Sequence, residues 1–251
     1  MKDYDLRKFQ AALSNGQTIV HDVYSKGSGP VVMIIQELPG IGPETLRLAD
    51  EFAAEGFTVV LPHLFGPLGK TDLAGNMIRV LCMRREFRIF AQGQTSPVVE
   101  WLRSLSQDLK ARHQVEGIAV IGMCLTGNFA LSLMVDDAVL ASVASQPALP
   151  VGSPGGLHMS QSDIETARQR LDTLEPMLAY RFEGDIQSPA KKFETIDCVF
   201  NQDKERIRLK TLPGRKHAIL TLHFENEIGH PTRQALDEIL SYFRRSLMPK
   251  C

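Results

Sequence analysis

One stretch constrains the fold more than any other: Gly117-Ile-Ala-Val-Ile-Gly-Met-Cys-Leu-Thr-Gly127, continued by Asn-Phe-Ala-Leu-Ser-Leu-Met134. Ile118 to Ile121 is an unbroken apolar run of strand length, as expected of a strand buried on both faces. Gly122 interrupts it, and beyond it Leu125, Phe129, Leu133 and Met134 recur near helical spacing. The hydrophobic period thus changes across Cys124, which predicts a sharp strand–turn–helix with the cysteine at its apex. Such a turn exposes its apex side chain in a strained pose and aims the free N–H groups of the new helix at whatever that side chain attacks. Small residues on both sides, here Gly122 and Gly127, are what a tight elbow needs. The pattern fits a cysteine nucleophile, and it also fits a free cysteine that fills space, as most buried cysteines do.

The surrounding chain supplies a sheet for this elbow. Strands are predicted over 18–24, 31–36, 57–61, 118–121, 139–143, 177–182 and 207–212. Helices are predicted over 44–54, 97–110, from Ser162 to about Leu171, over 189–200 and from about Thr232 to Leu247, with Ser162-Asp-Ile-Glu165 read as a capping box. Short apolar strands separated by helices imply a parallel sheet with helices on both faces. Without repeats or linkers, residues 1–251 read as one domain.

Composition narrows the function. A 43% hydrophobic, 23% charged chain can bury a large core. A formal net charge of -1 without basic blocks gives nucleic acid nothing to bind. No apolar run reaches the roughly 18 residues of a membrane span, and the opening Met-Lys-Asp-Tyr-Asp-Leu-Arg-Lys lacks the apolar core of a secretory signal. Cys82, Cys124, Cys198 and Cys251 are widely spaced, which suggests neither a zinc site nor a disulfide framework. A cytoplasmic setting is expected, where a thiol stays reduced.

A cysteine nucleophile needs a base, and the base an orienting acid. In a doubly wound sheet both belong on loops after strand C-termini, which share one rim. The strand 177–182 runs into Glu183-Gly-Asp185, and the strand 207–212 into Pro213-Gly-Arg-Lys-His217. The order nucleophile, acid, histidine is that of α/β-hydrolases. Alternatives stand beside each choice: Asp185, ahead of Ser-Pro, also suits a turn or helix cap, and His223 and His230 compete with His217, the first as a rim or core histidine, the second as a capping residue.

Four segments together resemble the dienelactone hydrolase family, cysteine-dependent members of the α/β-hydrolase fold. They are Gln36-Glu-Leu-Pro-Gly-Ile-Gly42, Gly122-Met-Cys-Leu-Thr-Gly127, Gly184-Asp185 before Ser-Pro, and Pro213-Gly-Arg-Lys-His217. The resemblance implies a single α/β-hydrolase domain with a mostly parallel central sheet. It also implies a Cys124–His217–Asp185 triad, with Glu37 beside the thiol to hold it at rest until substrate displaces the carboxylate, and an oxyanion hole from the backbone N–H groups of Leu38 and Leu125. Two departures are visible. Thr126 stands where the family elbow carries a glycine. Family enzymes acting on dienelactone hold its carboxylate with arginines, one shortly after the catalytic histidine, where Ala218-Ile-Leu-Thr221 has none; Arg84, Arg85 or Arg88 would have to supply the other.

The expected activity is hydrolysis of a small carboxylic ester or lactone through a thioester acyl-enzyme, with no metal or organic cofactor. A ligand-binding protein whose catalysis has lapsed, or an acyltransferase, would carry the same signature.

Overall fold

A computed structural model describes residues 1–82, 95–148, 155–157 and 159–248. The strands are β1 (Asp5–Ala12), β2 (Thr18–Lys26), β3 (Val31–Ile35), β4 (Thr58–His63), β5 (Ile118–Met123), β6 (Val139–Ser145), β7 (Met177–Phe182) and β8 (Ile207–Leu212). Between and after them come helices α1 (Pro43–Ala54), α2 (Leu73–Cys82), α3 (Pro97–His113), α4 (Gly127–Leu133), α5 (Gln161–Leu171), α6 (Ala190–Phe200) and α7 (Pro231–Leu247).

The strands form one eight-stranded sheet in the order β1-β2-β4-β3-β5-β6-β7-β8. The first two pairings are antiparallel and the rest parallel. Every residue of β3 and of β5 is buried, which is why these strands read as continuous apolar runs rather than alternating ones. Helices α1 and α7 cover one face with Leu48, Phe52, Leu236, Ile239 and Phe243. Helices α3 to α6 cover the other, with Trp101, Leu105, Phe129, Leu171 and Ile196. Full burial of side chains this size contributes about 1.5–3 kcal/mol each.

From β3 the chain steps outward to β4, then returns across β3 to β5 and proceeds to β8. The direction of winding therefore reverses between β3 and β5, and ligands of open α/β sheets bind beyond the strand C-termini at such a reversal. Glu37, Leu38, Cys124 and Leu125 all follow the ends of these two strands.

Two local expectations are revised. The first strand, β1, lies ahead of the predicted elements; its exposed edge carries no long apolar run, and pairing with β2 rather than its own sequence defines it. Helix α5 is capped by Ser160, whose hydroxyl accepts from Asp163 N–H at 3.1 Å. Ser162 therefore stands inside the first turn, and the helix begins two residues earlier than the capping-box reading placed it.

Candidate active site

The elbow is built as its glycines require. Residues Cys124–Thr126 form a tight 3-10 turn between β5 and α4. Cys124 holds a left-handed backbone, φ 56, a region that non-glycine side chains visit only under constraint. A Cβ on Gly122 would stand 2.1 Å from the Thr126 carbonyl oxygen, and one on Gly127 2.9 Å from Pro147 Cα. Neither position admits a side chain.

Thr126 does not crowd this crossing. Its hydroxyl accepts from Met123 N–H at 2.9 Å and reaches the Met123 and Ile35 carbonyls at 3.0 and 3.3 Å. A buried threonine thus pins the turn to the end of β3, a bond a glycine could not make.

The strand register sets Leu38 and Leu125 beyond the same end of adjacent strands. Ile35 pairs level with Gly122, so each leucine stands three residues past a paired position (38 minus 35, 125 minus 122). Leu125 lies in the first turn after the elbow, where N–H groups have no partner within the helix.

Asp185 and His217 come together because their loops are laced to each other. Glu183 N–H donates to Leu212 O, and Gly184 N–H to Gly214 O, both at 2.8 Å. The Asp185 carboxylate then divides its work. Oδ1 accepts from the Gln187 and Ser188 N–H groups at 2.9 and 3.1 Å, while Oδ2 faces His217 Nδ1 at 2.7 Å. Asp185 is therefore both the turn residue and the histidine's partner, and the two readings of it are compatible.

The competing histidines have other work. His223 Nδ1 accepts from the His217 and Ala218 N–H groups at 3.3 and 3.0 Å, so it braces the loop from within. His230 caps α7, accepting from Thr232 N–H. Arg47 of α1 also holds this loop, donating to the Leu220 carbonyl while stacking on Phe224 at 4.0 Å from the ring centre.

With Nδ1 on Asp185, the His217 Nε2 atom has no conventional hydrogen-bond partner, and the Cys124 sulfur acts on it. Burial works against a charge on the imidazole, but Asp185 and the Cys124 sulfur outweigh it and push the His217 pKa up to about 10. Burial likewise opposes ionisation of Asp185, yet His217 and the two turn N–H groups hold its carboxyl below the usual range.

Glu37 is 2% exposed, and burial raises its pKa against the pull of Thr221, His217 and Gln146. Its hydrogen-bond partners are the Thr221 hydroxyl, on Oε1, and Gln146 Nε2, 3.5 Å from Oε2. Thr221, in the segment that lacks the family arginine, thus engages Glu37 instead.

Two residues of this region carry no signal in the sequence. Gln146, directly after β6, is wholly buried with φ 37. Lys192 of α6 is also wholly buried and donates to Asn128 Oδ1 at 3.0 Å and to the Gly156 carbonyl. Both are read only from long-range contacts. Arg84, Arg85 and Arg88 lie outside the described residues. Among the described residues no cluster of three or more His, Cys, Asp or Glu side chains could hold a metal, and no helix is long and apolar enough to cross a membrane.

A sequence model of the dienelactone hydrolase family matches residues 20–247. No curated protein matches the chain. Among solved structures, a dienelactone hydrolase from Anabaena variabilis aligns with a TM-score of 0.61 at 13% identity, covering 98% of this chain and 100% of that one. A cold-adapted esterase from an Arctic intertidal metagenomic library aligns at 0.64 and 14% identity, covering 98% and 95%. A dienelactone hydrolase-like promiscuous phosphotriesterase from metagenomic libraries aligns at 0.63 and 15%, covering 96% and 99%. At these identities the likeness is one of fold.

Proposed function

The chain belongs to the dienelactone hydrolase family, a family of hydrolases, and on that premise we propose that it cleaves a small carboxylic ester or lactone with Cys124 as nucleophile, His217 as acid–base and Asp185 as its orienting acid. One arrangement carries the reading: an imidazole fixed at 2.7 Å on a buried carboxylate, its other nitrogen left without a conventional partner, and a sulfur at the apex of a left-handed turn acting on the ring.

The chemistry follows from these atoms. A thiolate, not a thiol, attacks an acyl carbonyl, and an adjacent imidazolium favours it. The carbonyl oxygen then becomes an oxyanion, to which the Leu38 and Leu125 N–H groups would donate; one such donor typically contributes about 3–4 kcal/mol. As the C–O bond breaks, the imidazolium gives its proton to the leaving alkoxide and a thioester remains on Cys124. Water, deprotonated by the now neutral His217, attacks the thioester, releasing the acid and returning the thiol. Asp185 keeps Nδ1 protonated throughout, so Nε2 is the nitrogen that exchanges protons.

Glu37, held by Thr221 and Gln146, would act on the resting thiol as a nearby carboxylate that opposes its ionisation. Arg84 and Arg85 remain candidates for a substrate carboxylate. The whole span 1–251 as one domain, a reducing cytoplasmic setting and independence of any metal or cofactor belong to the same proposal. Cys124 and Cys198, both unbridged, suit such a setting.

The test compares wild type and Cys124→Ala on p-nitrophenyl acetate and on dienelactone. Turnover that requires the cysteine supports the mechanism, and which substrate is turned over sets its class. Equal turnover by both proteins would remove the cysteine from the reaction.

A further inference from the structure

Two residues leave adjacent strands at the same level with left-handed backbones. Met123 pairs with Ser145 at the end of the β5–β6 ladder, so Cys124 and Gln146 each stand one residue beyond it, with φ 56 and 37. For Cys124 the strain has a reason, the elbow. For Gln146 a glycine would hold the same backbone without strain, so its side chain is what the position keeps.

That side chain is wholly buried and bonded through both its oxygen and its nitrogen. Its Oε1 accepts from the Ser145 hydroxyl and from Ile219 N–H at 3.4 Å, and its Nε2 donates to Glu37 Oε2 at 3.5 Å. Its backbone N–H is fixed on the Tyr180 carbonyl at 2.7 Å. One carboxamide therefore joins the loop after β3, which carries Glu37, to the loop after β8, which carries His217.

We propose that Gln146 is a positioning residue: its carboxamide sets where Glu37 and the His217 loop stand relative to Cys124. The inference rests on the hydrolase reading above. An acceptor on one side and a donor on the other are both needed, and only an amide of this length offers both from the end of β6. Other charged groups acting here are Glu44 on Glu37, Asp185 and Cys124 on His217, and Lys216, His217 and Asp185 on His223.

Gln146→Glu and Gln146→Met test it. Glutamate keeps the length and the acceptor facing Ile219, but places a carboxyl against Glu37. While the two carboxyls share one proton the donor is restored, and once both ionise they repel. The ratio of variant to wild-type kcat/KM on p-nitrophenyl acetate is therefore expected to be near one at pH 6 and to fall about tenfold or more by pH 8.5. Methionine, with neither donor nor acceptor, is expected to lose about 10- to 100-fold in kcat at every pH with little change in KM.

The rate of Cys124 alkylation by iodoacetamide is measured in parallel, because it needs no turnover. It should depart from the wild-type rate in Gln146→Met and, in Gln146→Glu, follow the same pH trend. A Gln146→Glu protein that tracks wild type across the pH range, in turnover or in alkylation, would overturn the proposal, as would a folded Gln146→Met protein with wild-type rates. If Gln146→Met does not fold, Gln146→Glu alone decides. Cys124→Ala with undiminished turnover would instead remove the hydrolase mechanism, while alkylation would still report on Gln146.

Discussion

Gly184 donates its N–H to the Gly214 carbonyl at 2.8 Å, and this bond laces the loop of Asp185 to the loop of His217. A Cβ on Gly184 would stand 2.5 Å from Arg215 Cγ and 3.4 Å from its Cα. Gly184→Ala is expected to part the loops slightly and lower kcat/KM about 10- to 100-fold, since small misplacements of a catalytic group are costly. Steady-state kinetics beside a thermal melt checks this; a variant that melts lower but keeps full activity would show that the lacing serves stability alone.

Asp185 uses its two oxygens differently, and Asp185→Asn separates them. The amide oxygen can still take the Gln187 and Ser188 N–H groups and keep the turn. The carboxylate that supports the imidazolium is gone, so a fall of about 10³-fold or more in kcat is expected, by analogy with the loss of the acid in serine-protease triads. A fold loss below ten would argue that the imidazole is oriented by something else.

Thr126→Val keeps the side-chain shape but leaves the buried Met123 N–H without its 2.9 Å acceptor. An unpaired buried donor costs about 1–3 kcal/mol, which urea unfolding would register. Thr126→Ser, which keeps the hydroxyl, is expected to recover most of it, and failure to do so would mean that the methyl group rather than the bond stabilises the elbow.

Stability should depend on pH through two groups with opposite sense. The His217 pKa is raised in the fold, from 6.5 to about 10, so its stabilising contribution is complete below about pH 6.5 and is lost as pH rises toward 10. Burial lowers the Lys192 pKa from 10.5 to about 8, so the fold disfavours its ammonium; that cost is complete below about pH 8 and fades toward 10.5. Denaturant unfolding at pH 6.5, 8 and 10 would show wild type losing its advantage over His217→Gln while gaining ground on Lys192→Met. Parallel curves for all three proteins would contradict both assignments.

The sequence disclosed what depends on local pattern. Ile118 to Ile121 announced a central strand, the flanking glycines announced the elbow, and β7 and β8 span the residues expected of them. His217 and Asp185 were legible because chain order and strand ends restrict where partners can stand, and the 2.7 Å contact shows that the two do meet. What escaped is carried by long-range contacts. Gln146 and Glu37 are 109 positions apart, Thr221 and Glu37 184 apart, and no periodicity relates such residues. The first strand escaped for a related reason: an edge strand is defined by its partner more than by its own composition. Ser160 took the cap from Ser162 because two hydroxyls stand two residues apart at the start of the same helix, and the pattern alone does not choose between them.

The loop that leaves β6 is fastened to the elbow from two sides. Ala148 N–H donates to the Cys124 carbonyl at 3.0 Å, and Asn128 of α4 donates to the Ala148 carbonyl at 2.6 Å. The backbone of the cysteine and the first turn of its helix therefore share an anchor with the residues that leave β6. Anyone recasting this scaffold by exchanging that loop for a relative's would be moving the reactive sulfur as well, so loop grafts here ought to begin after Ala148 and leave the Gln146-Pro-Ala148 stem with its own elbow.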